Sequence, residues 1–359
     1  MHYRVSILLA AAFSVCGCQS GNAVLQPSTL RPTPGPTATP PAATPSASPV
    51  RTTAPTATPT SAPSAAANVS EYTLPGAGSA PVELAAGPDG ALWFTEHGRD
   101  KIGRFTTAGG YTEYAVPTAG SEPFAIADGP DGALWFTEEN GNNIARIATG
   151  GSVTEYPIPT ADSVPFGIVP GGDGALWFSE TGANQIGRIT TGGSITEYAL
   201  PSANSQPFGI AAGSDGALWF AETTGDKIGR ITTGGNITEY PIPTANSEPE
   251  GIAAGPDGAL WFTEYGGDKI GRITTGGAVT EYAIPTANGS PFDIAAGSDG
   301  ALWFTEETGD KIGRTTTAGS ITEYAIPTAN SEPYGIASGP DGALWFAEYL
   351  GNNIGRINP

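Results

Sequence analysis

The sequence predicts an all-β fold, a seven-bladed β-propeller in which each blade is an antiparallel sheet of four strands. The tryptophans are evenly spaced with no insertion between units: Trp93, Trp135, Trp177, Trp219, Trp261, Trp303 and Trp345. Each unit contains four short runs rich in aromatic and β-branched residues, separated by Gly, Pro, Asn and Asp clusters. A period of about 42 residues with four strands is typical of a propeller blade.

The first unit gives the order of its elements. The innermost strand ends at a Gly87-Pro-Asp-Gly90 turn, and Ala91-Leu-Trp-Phe-Thr-Glu96 forms the second strand. Lys101-Ile-Gly-Arg104 opens the third strand, and Gly109-Gly-Tyr-Thr-Glu-Tyr114 leads into the fourth. A Pro-Thr-Ala connection starts the next unit. Gly, Pro and Asp are the residues that tight turns require, so these breaks separate strands rather than interrupt them.

The two ends of the repeat region predict how the ring closes. The folded part begins with Val69-Ser-Glu-Tyr-Thr-Leu-Pro75, a copy of the fourth strand of the repeat, and the chain ends after a third strand at Ile357. We therefore expect the N-terminal strand to complete the last blade and latch the ring, which also covers an edge that could otherwise pair with another chain.

The repeated charges have structural interpretations. We expect Trp93 to face Arg104 across a hairpin, with Glu113 beside the same arginine on the next strand, as a ladder across each blade. The Asp of each Gly-x-Asp-Gly, such as Asp89, suits a tight turn. The Glu that closes each Trp-Phe-x-Glu, such as Glu96, is expected to pair at the strand end.

Residues 1–68 are predicted to contain a targeting segment followed by a spacer. Residues 1–18 resemble a lipoprotein signal peptide, with an apolar run from Val5 to Val15 and a lipobox-like Val15-Cys16-Gly17-Cys18 in which Cys18 receives the lipid. Residues 19–68 are rich in proline, threonine and alanine and hold no acid, a composition typical of a disordered stalk. We therefore predict an extracytoplasmic lipoprotein held to a membrane by its lipid. The alternatives are a secreted protein after ordinary signal cleavage and a protein whose uncleaved signal segment anchors it.

Composition excludes several classes of protein. Fifteen bases against 35 acids give a net charge of −20, which disfavours nucleic-acid binding. Both cysteines, Cys16 and Cys18, precede the repeats, so no disulfide framework holds them. The sequence contains no run of about 18 consecutive apolar residues, the minimum for a transmembrane helix. We expect a monomer, although the sequence nominates no surface as an oligomer interface and does not determine the oligomeric state.

A symmetric ring makes a specific site where its units differ, and the connection before each innermost strand differs most. Those residues, with the hairpin tips between the second and third strands, are predicted to surround one mouth of the central channel. Either this mouth binds a ligand, or it is a solvated rim with phenylalanines packed between blades. The predicted acidic and aromatic mouth residues are Glu122, Phe124, Phe166, Phe208, Glu248, Glu250, Phe292, Asp293 and Tyr334, and the tips are His97, Glu139, Thr181, Thr223, Tyr265, Glu307 and Tyr349.

The repeats Gly-Pro-Asp-Gly-Ala-Leu-Trp-Phe-Thr-Glu, Lys-Ile-Gly-Arg-Ile-Thr-Thr and Ile-Thr-Glu-Tyr-Pro-Ile-Pro-Thr resemble the virginiamycin B lyase (streptogramin B lyase) family over residues 69–359. The resemblance implies the same seven-bladed ring. It also implies an activity: elimination at the ester bond of a cyclic depsipeptide antibiotic, with Mg²⁺ polarising the carbonyl and a histidine removing the adjacent proton.

The resemblance places the metal ligands of the family at Glu332 and Glu348. The family's acid/base histidine corresponds to Tyr334 here, and the histidine one blade earlier corresponds to Phe292. Tyrosine has an ordinary pKa of about 10, and phenylalanine cannot transfer protons. The remaining weak candidates for a base are Glu250, at the same position in another blade, and His97, which is either a lone surface histidine or leans toward the mouth.

Two hypotheses follow. In the first, the ring binds a small molecule, peptide or cell-surface ligand at its acidic, aromatic mouth and lacks the catalytic histidines of the family. In the second, it is a Mg²⁺-dependent carbon–oxygen lyase with Glu332 and Glu348 on the metal and a base that the sequence does not identify. A calcium-dependent lactonase of the six-bladed type is disfavoured, because seven units are present.

Overall fold

The structure, a computed structural model, describes residues 69–359. These residues form 28 strands and one short 3-10 helix, His97–Arg99. Predicted segments 1–18 and 19–68, including Cys18, lie outside the described residues. Among residues 69–359, no helix has the length and apolar character needed to span a bilayer.

The strands fall into seven sheets of four, in chain order. Blade 1 contains β2 (Pro81–Ala86), β3 (Leu92–Glu96), β4 (Lys101–Phe105) and β5 (Tyr111–Ala115), and blade 2 contains β6 (Pro123–Asp128), β7 (Leu134–Glu138), β8 (Asn143–Ile147) and β9 (Val153–Pro157). Blade 3 contains β10 (Pro165–Pro170), β11 (Ala175–Glu180), β12 (Gln185–Thr190) and β13 (Ile195–Ala199), and blade 4 contains β14 (Pro207–Ala212), β15 (Leu218–Glu222), β16 (Lys227–Ile231) and β17 (Ile237–Pro241).

The remaining blades repeat this plan. Blade 5 contains β18 (Pro249–Ala254), β19 (Leu260–Glu264), β20 (Lys269–Ile273) and β21 (Val279–Ala283), and blade 6 contains β22 (Pro291–Ala296), β23 (Leu302–Glu306), β24 (Lys311–Thr315) and β25 (Ile321–Ala325). Blade 7 contains β26 (Pro333–Ser338), β27 (Leu344–Glu348) and β28 (Asn353–Ile357), completed by β1 (Val69–Thr73). The first strand of each blade contacts the first strands of both neighbouring blades, so these seven strands form the inner ring.

The predicted closure is confirmed. β1 lies antiparallel to β28, with Val69 opposite Ile357 and Thr73 opposite Asn353. The carboxylate of Glu71 accepts hydrogen bonds from the backbone N–H of Thr328, at 2.8 Å, and from its hydroxyl, at 3.0 Å. The first strand of the described chain is therefore fastened both to blade 7 and to the connection that precedes it.

The core lies between successive blades. All seven tryptophans are at most 1% exposed, and apolar side chains of the next blade pack against each. Phe94 lies across the third strand so closely that a Cβ on Gly103 would fall 2.2 Å from its Cζ atom. This overlap explains why the Lys-Ile-Gly-Arg segment carries glycine at its centre.

The predicted charge ladder is correct for tryptophan and arginine and wrong for glutamate. Trp93 lies opposite Arg104, but Arg104 lies opposite Thr112, and Glu113 lies opposite Gly103. Side chains on a strand alternate between faces, so this one-residue offset puts Glu113 on the other face of the sheet. The acid beside Arg104 is instead Asp89, whose Oδ2 accepts from Arg104 Nε at 2.7 Å.

Asp89 also confirms the turn interpretation. The Gly90 backbone N–H donates to the Gly87 carbonyl at 3.0 Å, as in a tight turn. The other carboxylate oxygen of Asp89, Oδ1, accepts from Trp93 Nε1 at 3.0 Å. Bound in this way to the indole and to Arg104, the carboxyl of Asp89 has a pKa below its ordinary value, although burial acts in the opposite direction. The same Trp–Asp–Arg arrangement recurs in all seven blades.

The glutamates that end the second strands confirm the expected pairing in part. Glu96 accepts from the Tyr111 hydroxyl at 2.6 Å, and Glu138 accepts from Asn143 Nδ2 at 2.9 Å. Glu264 is equally buried, but neither of its carboxylate oxygens has a hydrogen-bond partner among the described residues. Burial raises the pKa of Glu264 to about 8, so this carboxyl is largely protonated at neutral pH.

Candidate functional site

A β-bulge sets the geometry of the inner ring. In each innermost strand the pairing with the second strand shifts after the first residue; in blade 1, Pro81 lies opposite Glu96 but Leu84 lies opposite Phe94. The extra residue falls at Val82–Glu83 and at the equivalent positions of the other six blades. Bulges redirect side chains and are over-represented next to functional sites. Most of the predicted mouth residues lie on these bulges.

The aromatic residues on the bulges pack together at the centre of the ring. Ring centroids are 4.6 Å apart for Phe124 and Phe166, 4.7 Å for Phe166 and Phe208, and 4.5 Å for Phe292 and Tyr334. Two contacts skip a blade, Phe124–Phe208 at 5.6 Å and Phe208–Phe292 at 5.8 Å, so these side chains converge from different sides of the inner ring. We call these five residues the aromatic plug; each is at most 8% exposed.

Hydroxyl groups of the second strands hold the plug residues in position. The Thr95 hydroxyl accepts from the Glu83 backbone N–H and donates to the Phe124 carbonyl of the next blade at 2.7 Å. Equivalent hydroxyls donate to the carbonyls of Phe166, Phe208, Phe292 and Tyr334. Each plug residue is therefore linked to the blade before it. In blade 4 the hydroxyl position is Ala221, which precedes the blade that carries Glu250.

Glu250 occupies the position in blade 5 that holds an aromatic residue in five other blades. It is 9% exposed, and its Oε2 has no hydrogen-bond partner among the described residues. Burial, followed by the nearby charges of Glu307 and Glu248, raises the pKa of its carboxyl well above the ordinary value. The ring thus places an acid with one unpartnered oxygen beside the aromatic cluster.

Tyrosines extend the plug to the surface on the same side of the ring. Tyr349, at the tip of blade 7, stacks on Tyr334 at 4.8 Å, and Tyr265, at the tip of blade 5, approaches Phe292 at 6.5 Å. Burial and neighbouring carboxylates raise the pKa of the Tyr334 phenol well above its ordinary value. Tyr334, which the resemblance to the family predicts to occupy the base position, is therefore held in its protonated form and is poorly suited to accept a proton.

His97 leans toward the mouth, so its interpretation as a lone surface histidine is wrong. Its side chain is 15% exposed and contacts Phe124 edge-on, at 6.3 Å between centroids, and Tyr349, at 6.2 Å. Nε2 lies 3.3 Å from Glu139 Oε2 and 3.7 Å from Glu122 Oε2. No sequence signal pointed to this orientation, because the 3-10 turn that carries His97 is found in blade 1 alone among the described blades.

The other predicted mouth acids differ in placement. Glu122 keeps 38% of its side chain exposed, and Glu248 is exposed. Asp293 instead directs its carboxylate along the inner ring, where Oδ2 accepts from the Ile336 backbone N–H at 2.8 Å. Sequence reasoning missed Glu83, which lies on the bulge of blade 1 across Gly335 from Asp293: a Cβ on Gly335 would fall 2.7 Å from Glu83 Oε2.

Glu83 and Asp293 affect each other's protonation. Burial raises the pKa of Asp293 to about 6. Burial and the charge of Asp293 together raise the pKa of Glu83. The repeat offers a signal that could have found Glu83, because five of its six equivalents in the other blades are glycine or alanine.

The two predicted metal ligands lie in blade 7. Glu348 ends β27 and is fully buried, as are its six equivalents in the other blades. Its Oε2 accepts from Asn353 Nδ2 at 2.9 Å, and burial raises its pKa to about 8. Glu332 is half-buried at the start of β26, with φ of 47°, and its carbonyl accepts from the Tyr349 backbone N–H at 3.0 Å. A metal site at Glu332 and Glu348 stays a prediction.

Comparison with known proteins identifies the family. The model of the virginiamycin B lyase family matches residues 58–251 and 203–359. The chain belongs to the virginiamycin B lyase family. A structure described as a streptogramin B lyase is 43% identical, with a TM-score of 0.78, over 81% of this chain and 97% of that one. No curated protein matches the sequence.

Two structures of the virginiamycin B lyase of Staphylococcus aureus are equally similar, each 43% identical with a TM-score of 0.78 over 81% of this chain and 99% of the other. One of them is a catalytically inactive histidine-to-alanine variant with quinupristin. The family and the seven-bladed fold predicted from the repeats are therefore confirmed for this chain.

Proposed function

We propose that this virginiamycin B lyase-like propeller binds an amphipathic ligand that carries a positive charge, at the mouth formed by the aromatic plug and the surrounding acids. The observation that carries the proposal is the placement of Glu250, a buried carboxyl with an oxygen that lacks a partner, where five of the six other blades supply an aromatic ring. A ligand cation at this point would meet both a carboxyl group and aromatic faces, the combination that recognises ammonium groups.

The charge distribution supports a cationic ligand. Every lysine and arginine in residues 69–359 forms an ion pair with an acid of the repeated framework, either a turn aspartate or a strand glutamate. None of these bases pairs with Glu122, Glu139 or Glu250. The acids of the mouth therefore attract a cation in solution, and this attraction weakens as salt is added.

The apolar part of the ligand has surface to contact. Tyr265 and Tyr349 are half-buried beside the plug, and Leu350, next to Tyr349, is the one large hydrophobic residue of the described chain that is exposed, at 59%. Because the related S. aureus lyase has a structure with quinupristin, a streptogramin B is the natural first probe.

Calorimetric titration of the full-length protein with quinupristin tests this proposal. We expect saturable binding that weakens at high salt and is lost in Glu250→Phe, which restores the ring of the other blades. Asp128→Asn removes an exposed acid outside the mouth and should bind as the wild type does. Absence of heat at high ligand concentration, or equal binding by Glu250→Phe, would contradict the proposal.

A second candidate is the carbon–oxygen lyase activity of the family, and the position of His97 favours it. His97 places an imidazole, the side chain best suited to proton transfer near neutral pH, on the same face as the plug. In this function His97 would take the proton from the carbon next to the one that bears the ester oxygen of a cyclic depsipeptide. The electron pair left on that carbon would form a double bond between the two carbons, while the carbon–oxygen bond breaks and the ester leaves as a carboxylate.

A Mg²⁺ ion at Glu332 and Glu348, the pair that the family resemblance implies, stays a prediction. Carboxylate oxygens are suitable ligands. Glu348 is fully buried, and its Oε2 accepts from Asn353, whereas its Oε1 has no hydrogen-bond partner among the described residues. We derive no catalytic step through a magnesium ion.

Mass spectrometry separates the two candidates. Incubation of the protein with quinupristin, with and without Mg²⁺, yields a linear product of unchanged mass and altered fragmentation if ring opening occurs. Loss of that product in His97→Ala would support the lyase. Binding without product supports the first candidate, and neither binding nor product contradicts both.

We also propose that the protein is a monomeric, membrane-anchored lipoprotein outside the cytoplasm, lipidated at Cys18. This rests on the sequence of residues 1–68. Detergent phase partition is the test: the wild type should enter the detergent phase and Cys18→Ser should not, whereas an aqueous wild type would indicate secretion after signal cleavage.

A further inference from the structure

Three side chains meet at the junction of blades 1 and 2. We call them the His97 cluster: His97 follows β3 at the tip of blade 1, Glu122 precedes β6, and Glu139 follows β7 at the tip of blade 2. One ligand atom from each, the imidazole Nε2 and two carboxylate oxygens, lies within 4.8 Å of the other two. It is the single group of three or more potential metal-ligating side chains in residues 69–359.

The backbone fixes the three residues relative to one another. The His97 N–H donates to the Ala80 carbonyl at 3.2 Å, and the Glu139 N–H donates to the Glu122 carbonyl at 3.1 Å. The Glu122 N–H donates in turn to the carboxylate of Asp100, at 3.0 Å, which holds Glu122 in a left-handed conformation with φ of 49°. The cluster is therefore built on hydrogen-bonded turns.

Neighbouring side chains orient the ligand atoms. Phe124 and Tyr349 lie against the edges of the His97 ring, and Asn140 Nδ2 donates to Glu122 Oε2 at 2.6 Å. Support of this kind around a metal ligand reduces the freedom lost on binding. The three side chains keep between 15% and 38% of their surface exposed, so an ion can reach them from solvent.

Electrostatics leave the cluster short of positive charge. No lysine or arginine of the described chain pairs with Glu122 or Glu139, since all are bound to framework acids. Two carboxylates this close repel each other unless a cation lies between them. A metal ion bound by the three side chains would supply that positive charge.

We propose that the His97 cluster binds a divalent transition-metal ion of the zinc type through one imidazole nitrogen and two carboxylate oxygens. The separations of Nε2 from the two oxygens are 3.3 Å and 3.7 Å. Zinc bonds of about 2.0–2.2 Å place neighbouring tetrahedral ligand atoms about 3.3–3.6 Å apart, so the cluster can accept the ion with small adjustments.

The donor set decides the class of metal. Imidazole suits zinc and its neighbours, whereas magnesium and calcium prefer oxygen alone. Three protein ligands leave the fourth tetrahedral position open to water or to a ligand on the mouth. This inference goes beyond the proposed ligand binding and does not depend on it, because the cluster would hold the ion with the mouth empty.

Metal titration of the full-length protein, first stripped with chelator, tests the inference. We expect one equivalent of Zn²⁺ to bind, and Co²⁺ in its place to give the visible absorption of a tetrahedral nitrogen–oxygen site. His97→Ala and Glu139→Gln should each weaken binding by at least about 10-fold.

Two controls separate the cluster from general attraction to an acidic protein. Asp162→Asn and Asp128→Asn each remove an exposed acid from outside the cluster; both should bind Zn²⁺ as the wild type does. Circular dichroism verifies that each variant is folded. Zinc binding that persists unchanged in folded His97→Ala, or no binding by the wild type, would overturn the inference and leave His97 as an ion-pair partner of the two acids.

Discussion

The turns of the blades and the mouth of the ring use the same residue types in opposite ways. In the turns, each aspartate is matched by an arginine and an indole N–H, as Asp215 is by Arg230 and Trp219. At the mouth, Glu250 is buried with an oxygen that has no partner. The repeated turns thus satisfy their own charges, whereas this departure from the repeat leaves an acid for something else to neutralise.

The largest loss of stability is expected from replacing a buried tryptophan of the repeated blades. Trp219 is fully buried between blades 4 and 5, so Trp219→Ala should lower the free energy of unfolding by about 3–5 kcal/mol, measured by urea denaturation. Tyr349→Ala at the mouth serves as comparison and should lose much less, because the side chain is half-buried. Equal losses would mean that the mouth contributes to the core as the framework does.

Disrupting the Trp–Asp–Arg arrangement of a turn should cause the second-largest loss of stability. Asp215→Ala leaves both the Trp219 indole N–H and the Arg230 guanidinium without their acceptor, at a cost of about 1–3 kcal/mol. Glu122→Gln at the mouth is the matched change and should alter stability by no more than about 0.5 kcal/mol. A negligible loss in Asp215→Ala would show that water replaces the carboxylate freely.

Glu250→Phe, unlike the two preceding substitutions, should stabilise the protein. Replacing a buried carboxyl that has one unpartnered oxygen with the ring found in five other blades should raise the free energy of unfolding by about 1–2 kcal/mol at neutral pH. The gain would appear as a higher urea midpoint with an unchanged slope. A lower midpoint would show that the space around Glu250 does not accommodate an aromatic ring.

The smallest effect is a change in pH dependence. The pKa of Glu250 is raised in the folded state by burial, so the folded protein holds this proton more tightly than the unfolded chain. Its contribution to stability is therefore most favourable near or below the ordinary pKa of 4.5 and declines as the pH rises above that value. The stability of Glu250→Gln relative to the wild type should consequently increase as the pH rises above about 4.5.

The control for that measurement is Asp162→Asn, an exposed acid whose replacement should leave the pH profile of stability unchanged. A wild-type profile that runs parallel to the profile of Glu250→Gln would contradict the raised pKa.

The sequence predicted the framework better than the mouth, for physical reasons. The even spacing of the tryptophans determined blade number, strand order and the pairing of Trp93 with Arg104. The partner of Arg104 was misassigned, because a register offset of one residue transfers a side chain to the opposite face and composition does not reveal it.

At the mouth, substitution within the repeat identified Glu250 as unusual but did not predict its environment. The bulge at Val82–Glu83 has no sequence signature, so Glu83 escaped notice and Asp293 was expected to face the mouth. The orientation of His97 depends on a single 3-10 turn and on packing against side chains of blades 2 and 7. Such contacts between distant parts of the chain are set by tertiary structure rather than by local pattern.

The pairing of β1 with β28 has a mechanical consequence. A force applied at Val69 acts directly on β1, the outermost strand of blade 7, where the ring closes. The pairing between β1 and β28 resists this force first, together with the hydrogen bond from the Thr328 backbone N–H to the Glu71 carboxylate. Single-molecule pulling from the N-terminus should therefore detach β1 before any blade unfolds. Pulling through a point within blade 4 should not detach β1 first.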